Sequence, residues 1–259
     1  MNSLWVLSLL YLFIWVFVNW AYAKNNPSTV GRPTGQRIFF WSGSLIWLIC
    51  VSNPIAQLGA TKLPLHVMNQ LVITMVAMPL IVLGSPKFGF EFLGTFRKVK
   101  EAILHPIVSW TIFVAVLIAA YTPAVVGWNH DNQIAASLFQ AFVLPATSAI
   151  YFYPILKSEQ DNFAYALRIM SLFFMMIPET MIGFFIYIQN RIIYPEYLGH
   201  GEFESMLSQQ QLAGALMWSI SMIVDSIWIA IAVQRWFKSE KIKGEKIKAE
   251  IIAEQKLII

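Results

Sequence analysis

The sequence predicts an all-α membrane protein: a seven-transmembrane-helix bundle with its N-terminus outside and its C-terminus inside the cell. Three observations predict this class. Of the 259 residues, 58% are hydrophobic and only 12% are charged, whereas a soluble domain carries about 25% charged residues. The apolar residues form blocks of about 20, the length that crosses a hydrocarbon core of ~30 Å. The basic residues collect on one side of these blocks.

The apolar blocks define seven expected spans, and none alternates with the period of two that a barrel strand shows. They lie at about residues 4–23, 38–58, 65–84, 105–126, 133–156, 164–187 and 210–236. The first block ends in the small-residue sequence AYAK, but it is long for a signal peptide and no basic region precedes it, so we expect an uncleaved helix. Because little of the chain remains outside the blocks, we expect one membrane domain over residues 1–237.

The Lys and Arg residues predict the orientation, since cytoplasmic loops are enriched in them. Of the 18 basic residues, Lys62 and Arg191 follow an even-numbered span. The other 16 lie in the first, third and fifth loops with their flanks, and in the C-terminal tail. The net charge of +4 is therefore explained by membrane topology, and it predicts no nucleic-acid partner.

The C-terminal tail, residues 238–259, is rich in Lys and Glu. Ile242, Ile247, Ile251 and Ile258 recur in it at near-helical spacing, which predicts a cytoplasmic amphipathic basic helix. Such a helix, like the basic inner loops, can lie against anionic lipid. It can also dock on a partner protein, and the sequence leaves this choice open.

Two acidic residues fall inside predicted spans, Glu179 in the sixth and Asp225 in the seventh. A charge at the bilayer centre costs at least about 2.5–3.5 kcal/mol on insertion scales, so such residues are candidate functional sites. Either acid can instead be protonated, or bonded to polar neighbours, in order to hold the bundle together. The Asn and Gln residues of the outer half leave a similar choice between a polar cavity and interhelical hydrogen bonds.

The histidines are the first candidates for a metal site, because copper favours imidazole and thioether ligands. His66, His130 and His200 fall near the predicted outer face, and His105 falls at the inner end of the fourth span. The sequence has no Walker loop and no GxSxG, HExxH, CxxC or CxxCH motif. We therefore expect a protein that is not an enzyme.

The order of several motifs resembles the CtaG family of cytochrome c oxidase assembly factors, which are seven-helix membrane proteins. The resemblance covers about residues 30–237 and is carried by VGRPTGQR, SNPIAQLG, LHVMNQLVITMVAMPLIVLGSP, HPIVSW, YFYPIL, YPEY and QQQLAGALMW. The motif positions that it marks as structural are Pro79, Gly84, Pro106, Pro154, Gln210, Gln211, Gly214 and Trp218. Family members are thought to deliver copper to terminal oxidases or to help assemble their copper–haem centre. The resemblance implies a bacterial plasma-membrane protein whose partners are oxidase subunits.

The same resemblance implies metal-ligand positions, and most of them are replaced in this chain. The family has two histidines four residues apart in the third span, where they share one helix face and can hold one metal. Here His66 is followed by Gln70, and neutral amides are weak ligands for Cu(I). The other replaced positions are Ser137, Gln140 and Ala141 in the fifth span, Tyr121 and Thr122 in the fourth, and Gln209 before the seventh.

Three functions remain open at this point. The chain can be an oxidase assembly factor, acting as a scaffold or as a weak copper-delivery protein through His66. It can be a permanent, non-catalytic subunit of an oxidase complex that has lost the copper site. It can be a transporter or proton path built around Glu179 and Asp225.

Overall fold

A computed structural model describes residues 3–25, 34–85, 97–157, 162–197 and 203–258, and every regular element within these ranges is helical. The helices are α1 Ser3–Asn25, α2 Thr34–Val51, α3 Ile55–Thr61, α4 Leu63–Leu71, α5 Met78–Gly84, α6 Arg97–Ile103, α7 Pro106–Ala120, α8 Pro123–Asp131, α9 Gln133–Leu138, α10 Leu144–Lys157, α11 Asn162–Tyr187 and α12 Phe203–Ile258. Two π-helical segments, Val72–Ala77 and Phe139–Val143, join α4 to α5 and α9 to α10. A 3₁₀ turn, Pro195–Tyr197, precedes α12.

Five helical runs are long enough and apolar enough to cross a membrane. They are Leu4–Lys24, Leu63–Gly84, Gln133–Leu156, Tyr165–Tyr187 and Phe203–Glu245. Two more candidates are bent pairs, α2 with α3 at 51° and α7 with α8 at 67°. The described residues therefore have five spans, or up to seven if each bent pair is one span. This confirms the all-α membrane fold.

The second and fourth predicted spans differ from the continuous helices that we expected. Each is broken just before a proline, Pro54 in one and Pro123 in the other. Proline has no backbone N–H to continue the helical ladder, and its ring clashes with the preceding turn. The apolar composition predicted the spans, and the prolines explain where they bend.

Two pairs of helices cross so closely that glycine is required at the crossing. A Cβ added at Gly84 would lie 2.2 Å from the backbone nitrogen of Phe40, so α5 meets α2 almost backbone to backbone. A Cβ at Gly214 would lie 2.5 Å from the carbonyl oxygen of Gly183, which joins α12 to α11 in the same way. Small residues allow this approach and thereby increase the dispersion contacts that drive helix association in lipid.

Side chains from neighbouring helices bond the carbonyl groups that prolines leave free. The carbonyl four residues before a proline loses its helical donor. For Pro79 this is the Met75 oxygen, to which the Trp228 indole donates at 2.8 Å. For Pro145 it is the Ala141 oxygen, to which the Trp47 indole donates at 3.0 Å.

The third such proline, Pro54, frees the carbonyl oxygen of Cys50. The Asn69 amide, on α4, donates to that oxygen at 2.8 Å. In the π-helical segment before Pro79, the Thr74 oxygen also accepts a bond from Ser148, at 2.5 Å. Because an unpaired carbonyl in the hydrocarbon core costs several kcal/mol, these bonds stabilise the packing of each of these proline-containing helices on its neighbours.

The last helix, α12, is a single element of 56 residues. At 1.5 Å per residue it is about 84 Å long, well over the ~30 Å hydrocarbon thickness. The expected tail helix of residues 238–259 is thus a direct continuation of the last span through residue 258. Its apolar residues Ile242, Ile247 and Ile251 are exposed.

Candidate functional site

A small cavity of about 60 Å³ lies at the end of the bundle where α1 begins and α2 ends, and we call this the His66 end. The cavity brings together residues from α1 to α4, α8, α9 and the turn before α12. Its polar lining consists of His66, Asn129, His130, Gln133, Ser137, Gln140 and Tyr197. Its volume suits a few water molecules, and its polar walls provide hydrogen-bond partners for them.

His66 is the residue around which this cavity is built. Its Nε2 atom lies 2.9 Å from the Gln70 side-chain nitrogen, one helical turn further along. An amide N–H can only donate, so this contact uses the lone pair of Nε2. An imidazole binds a metal through the lone pair of its unprotonated ring nitrogen, which in this tautomer is Nε2.

The other ring nitrogen of His66, Nδ1, faces the Tyr197 hydroxyl at 3.5 Å. The centroids of the His66 and Tyr197 rings lie 4.9 Å apart, and those of His130 and Tyr197 lie 6.5 Å apart. Burial raises the pKa of Tyr197 to about 12, with the neighbouring Glu196 carboxylate as a second cause. The phenol therefore keeps its proton at neutral pH and remains a polar neighbour of both imidazoles.

The structure brings the replaced metal-ligand positions of the fifth span to the same place. Ser137 and Gln140 line the cavity beside His66, and the Ser137 hydroxyl bonds the Tyr11 phenol at 2.7 Å. Ala141 is buried, and its carbonyl oxygen accepts the bond from Trp47. Hydroxyl and amide groups thus occupy a constellation in which the resemblance implies imidazoles and a carboxylate.

These residues do not fit a copper ion. Among the described residues, no group of three or more His, Cys, Asp or Glu side chains could hold a metal ion. Of the four histidines, His66 and His130 line the cavity, while His105 is exposed before α7. His200 lies outside the described residues.

The residues that the family motifs marked as structural occupy packing positions. The buried Gln210 side chain forms two hydrogen bonds to the backbone that follows α11. Its oxygen accepts from Ile193 N at 2.8 Å, and its nitrogen donates to Arg191 O at 3.0 Å. The Trp218 ring stacks on Phe184 and Tyr187 of α11, beside the close approach of Gly214.

The remaining motif residues lie on the helices that carry this packing. Pro79 and Pro154 are buried within α5 and α10, and Pro106 opens α7 at its first position. Gln211 is half-buried at the start of α12, next to Gln210. The turn Tyr194–Tyr197 that Gln210 helps to anchor is the one that supplies Tyr197 to the His66 cavity.

The two acids of the sixth and seventh spans form a pair. Glu179 on α11 and Asp225 on α12 are both fully buried, and their carboxyl groups lie close enough to interact with each other. Glu179 Oε2 and both carboxyl oxygens of Asp225 have no hydrogen-bond partner among the described residues. Two ionised carboxylates buried side by side would repel each other strongly.

The sequence predicted each acid but not the pairing, nor the contribution of Asn129, His130 and Tyr197 to the cavity. The spacing gives only part of this pairing. Gly183 lies one turn after Glu179, and Gly214 lies three turns before Asp225, so each acid shares a helix face with a glycine. The two distances along the helix axes differ by about 10 Å at 1.5 Å per residue, so the contact between the glycines alone does not predict that the acids meet.

A bundle of this kind, with five to seven apolar spans among its described residues, defines a multi-pass membrane protein. A family described as "Cytochrome c oxidase caa3 assembly factor (Caa3_CtaG)" matches residues 9–239, most of the chain. The chain belongs to this family, which confirms the resemblance drawn from its motifs. Neither the curated proteins nor the solved structures contain a match.

Proposed function

We propose that this chain assists the assembly of a caa3-type cytochrome c oxidase as a non-catalytic membrane scaffold, and that it does not itself carry copper. The observation that carries the proposal is the 2.9 Å contact between the Gln70 amide and the Nε2 atom of His66. This contact occupies the metal-binding lone pair at the position where the family resemblance implies a second imidazole.

The cost of a copper ion at His66 supports the scaffold role. Binding through Nε2 would break the Gln70 hydrogen bond, worth about 1 kcal/mol net. It would then offer the ion amide and hydroxyl oxygens, which are hard donors, in place of the soft ligands that Cu(I) prefers. A single imidazole under these conditions is a weak copper site.

The motif residues that are retained also support the scaffold role, because they act in helix packing. Gly84, Gly214 and Gln210 hold helices and a turn in place, and this packing does not depend on a metal. The chain has therefore retained what builds the bundle and replaced what would bind the ion. A scaffold needs the first set of residues and not the second.

The test is genetic complementation in the native host. A strain lacking this chain is expected to lose assembled oxidase, measured by its haem spectrum and by oxygen consumption. The wild-type chain and His66→Ala are expected to restore assembly equally, because His66 carries no ion. Excess copper in the medium should not rescue the deletion strain.

A copper-delivery role predicts different results. His66→Ala would then fail to restore oxidase while still accumulating in the membrane, and added copper would rescue the deletion. Affinity purification in mild detergent separates the remaining alternative. A permanent subunit co-purifies with oxidase subunits at a fixed ratio, whereas an assembly scaffold is recovered with them substoichiometrically.

The carboxyl pair favours a second candidate function, a proton path through the bundle. Glu179 and Asp225 are buried together in the membrane interior, and Glu179 interacts electrostatically with the phenols of Tyr121 and Tyr151. Buried ionisable pairs of this kind occur in proton relays of membrane transporters. A structural role for the pair, as a hydrogen bond between α11 and α12 through one proton, uses the same geometry.

Neutral isosteres distinguish the two roles. Glu179→Gln keeps a hydrogen-bond donor beside Asp225 but cannot exchange a proton with it. A proton path predicts that this variant loses proton flux across vesicles that contain the purified chain. A structural bond predicts unchanged oxidase assembly and an unchanged thermal midpoint. Ser226→Ala, which removes an exposed hydroxyl from the same helix as Asp225, is the control.

A further inference from the structure

A second cavity, of about 460 Å³, lies at the opposite end of the bundle from His66. It is formed where α2 and α11 begin, where α5 and α10 end, and where α12 passes them. Three cationic residues line it, Arg168 from α11 and Arg235 and Lys238 from α12, and none of the described lining residues is acidic. We call it the Arg168 cavity.

Arg168 is the residue that makes this cavity unusual. Its side chain is 4% exposed, and its Nη2 atom has no hydrogen-bond partner among the described residues. Its guanidinium lies over the Tyr165 ring, 4.8 Å from the centroid, and none of the described residues that line the cavity offers it a carboxylate. A buried cation without a counter-charge is strongly unfavourable.

Arg235 adds a second guanidinium whose donors are only partly used. Its Nη1 atom donates to the carbonyl oxygen of Leu156, at the end of α10, at 3.0 Å. Lys238 follows one helical turn later on α12. Three positive charges thus face one space, and an anion in that space would compensate them.

The other residues that line the cavity indicate which kind of molecule would supply the anionic group. Phe39, Leu83, Ile155 and Ile242 provide apolar walls next to the cations. A free inorganic ion gains nothing from such walls, whereas a phospholipid offers a phosphate to the cations and acyl chains to the apolar residues. Basic pockets between transmembrane helices are known to take anionic lipid headgroups.

We propose that the Arg168 cavity binds one anionic phospholipid, with its phosphate between the guanidinium groups of Arg168 and Arg235. Guanidinium groups bind phosphate oxygens through paired, charge-assisted hydrogen bonds. Lys238 faces the outer part of the headgroup, and the acyl chains follow the apolar wall. The lipid thereby links α10, α11 and α12 at this end of the bundle.

The test is lipid retention by the full chain, purified in mild detergent and analysed by native mass spectrometry after incubation with phosphatidylglycerol vesicles. The wild-type chain is expected to keep one phosphatidylglycerol molecule and to exclude phosphatidylcholine. Arg168→Gln is expected to lower this occupancy about tenfold or more, since it removes a charged hydrogen-bond donor. Arg168→Lys keeps the positive charge but not the paired N–H donors of the guanidinium group. Its lipid occupancy should lie between that of the wild type and that of Arg168→Gln.

Two matched variants control for general charge loss. Lys241→Gln removes an exposed charge three residues beyond Lys238, and Arg191→Gln removes an exposed arginine at the His66 end. Both variants are expected to retain the lipid like the wild type. Lys238→Gln should retain less lipid, and because Lys238 is exposed, this substitution should leave the fold intact.

Three results would overturn the proposal. Equal loss of lipid in Lys241→Gln and Lys238→Gln would indicate diffuse attraction to the membrane surface. Undiminished lipid retention by a folded Arg168→Gln variant would show that the cavity does not hold the phosphate. Displacement of the lipid by millimolar inorganic phosphate, with equal thermal stabilisation, would assign the site to the free ion instead.

Discussion

His66 lies at the start of the third span, and its two ring nitrogens face different partners, the Gln70 amide and the Tyr197 phenol. The amide at residue 70 is the difference between a pair of metal ligands and a pair of hydrogen-bonding groups. Its position, one helical turn after His66, keeps the two side chains on one face. The identity of residue 70 therefore decides whether this helix face binds a metal or forms a hydrogen bond, because the backbone geometry suits both.

We predict that Gln70→His gives the chain a copper site that the wild type lacks. The second imidazole would stand at i+4 from His66 and free its Nε2 lone pair, so that two nitrogen ligands face one cavity. Titration of the detergent-purified chain against a chromophoric Cu(I) chelator measures this. We expect binding near one equivalent for the variant and well below it for the wild type.

Gln70→Asn is the matched control for that experiment, because it keeps an amide and shortens it by one methylene. Copper binding by the asparagine variant at the level of Gln70→His would contradict our reading. So would wild-type binding near one equivalent that His66→Ala removes.

At the scale of helices, the bends and crossings depend on residues that leave no mark on a hydropathy profile. The apolar blocks predicted every span, because burial in lipid requires about 20 apolar residues whatever their neighbours are. The angles of 51° and 67° could not be predicted, since a proline frees a carbonyl but does not determine which neighbour bonds it. At the 51° bend the donor is Asn69 of α4. For the carbonyls freed by Pro145 and Pro79 the donors are Trp47 and Trp228, from helices distant in sequence.

We predict that Gly84→Ala prevents α5 from packing on α2. The added Cβ would lie 2.2 Å from the Phe40 nitrogen, and backbone atoms cannot move aside as a flexible side chain can. Overpacking of this kind costs about 1–3 kcal/mol or more. We expect poor accumulation in the membrane, measured by immunoblot, and a lower thermal midpoint for what is recovered.

Gly244→Ala provides the comparison, since a Cβ there meets no atom within 4 Å. Alanine is favoured over glycine in a helix by up to about 1 kcal/mol, so this variant should accumulate normally. Equal behaviour of the two variants would mean that α2 and α5 do not meet at Gly84.

We also predict that Trp228→Phe destabilises the bundle by leaving the Met75 carbonyl without a donor. The aromatic ring is largely kept, so the expected loss of about 1–3 kcal/mol reflects an unsatisfied buried acceptor. Differential scanning fluorimetry in detergent should record a midpoint lowered by roughly 2–4 °C per kcal/mol.

Trp218→Phe controls for the loss of ring size. Trp218 stacks on Phe184 and Tyr187, and phenylalanine preserves a ring in that stack. A drop for Trp218→Phe as large as that for Trp228→Phe would show that ring area, and not the hydrogen bond to Met75, accounts for the effect.

At the scale of the whole molecule, the bundle places its two polar cavities at opposite ends and its carboxyl pair between them. The sequence predicted the membrane class and the two acids, since each can be read from local composition. It could not predict that Arg168 and Arg235 line one cavity, because that requires the ends of three further elements, α2, α5 and α10, to close around them. The His66 cavity was partly predictable, through the motif positions in the third and fifth spans.

We predict that truncation after Glu245 leaves the membrane bundle folded. The described tail residues beyond it with known exposure, including Ile247 and Ile251, are exposed, so their removal loses little buried surface. The thermal midpoint of the truncated chain should equal that of the full chain within about 1 °C, since about 1 kcal/mol shifts it by 2–4 °C. A clearly lower midpoint would mean that the tail packs on the bundle.

The uninterrupted course of α12 has a consequence for anything that contacts its far end. Because no hinge separates the span from the tail, the direction in which each tail side chain faces is locked to the rotation of the helix inside the bundle. Inserting two residues after Gly244 would turn the distal face by about 200°, whereas inserting seven would return it to within about 20° of its original heading. The tail and the span therefore rotate as one rigid helix. A partner that binds one face of the tail would respond to any rotation of the span that carries Asp225.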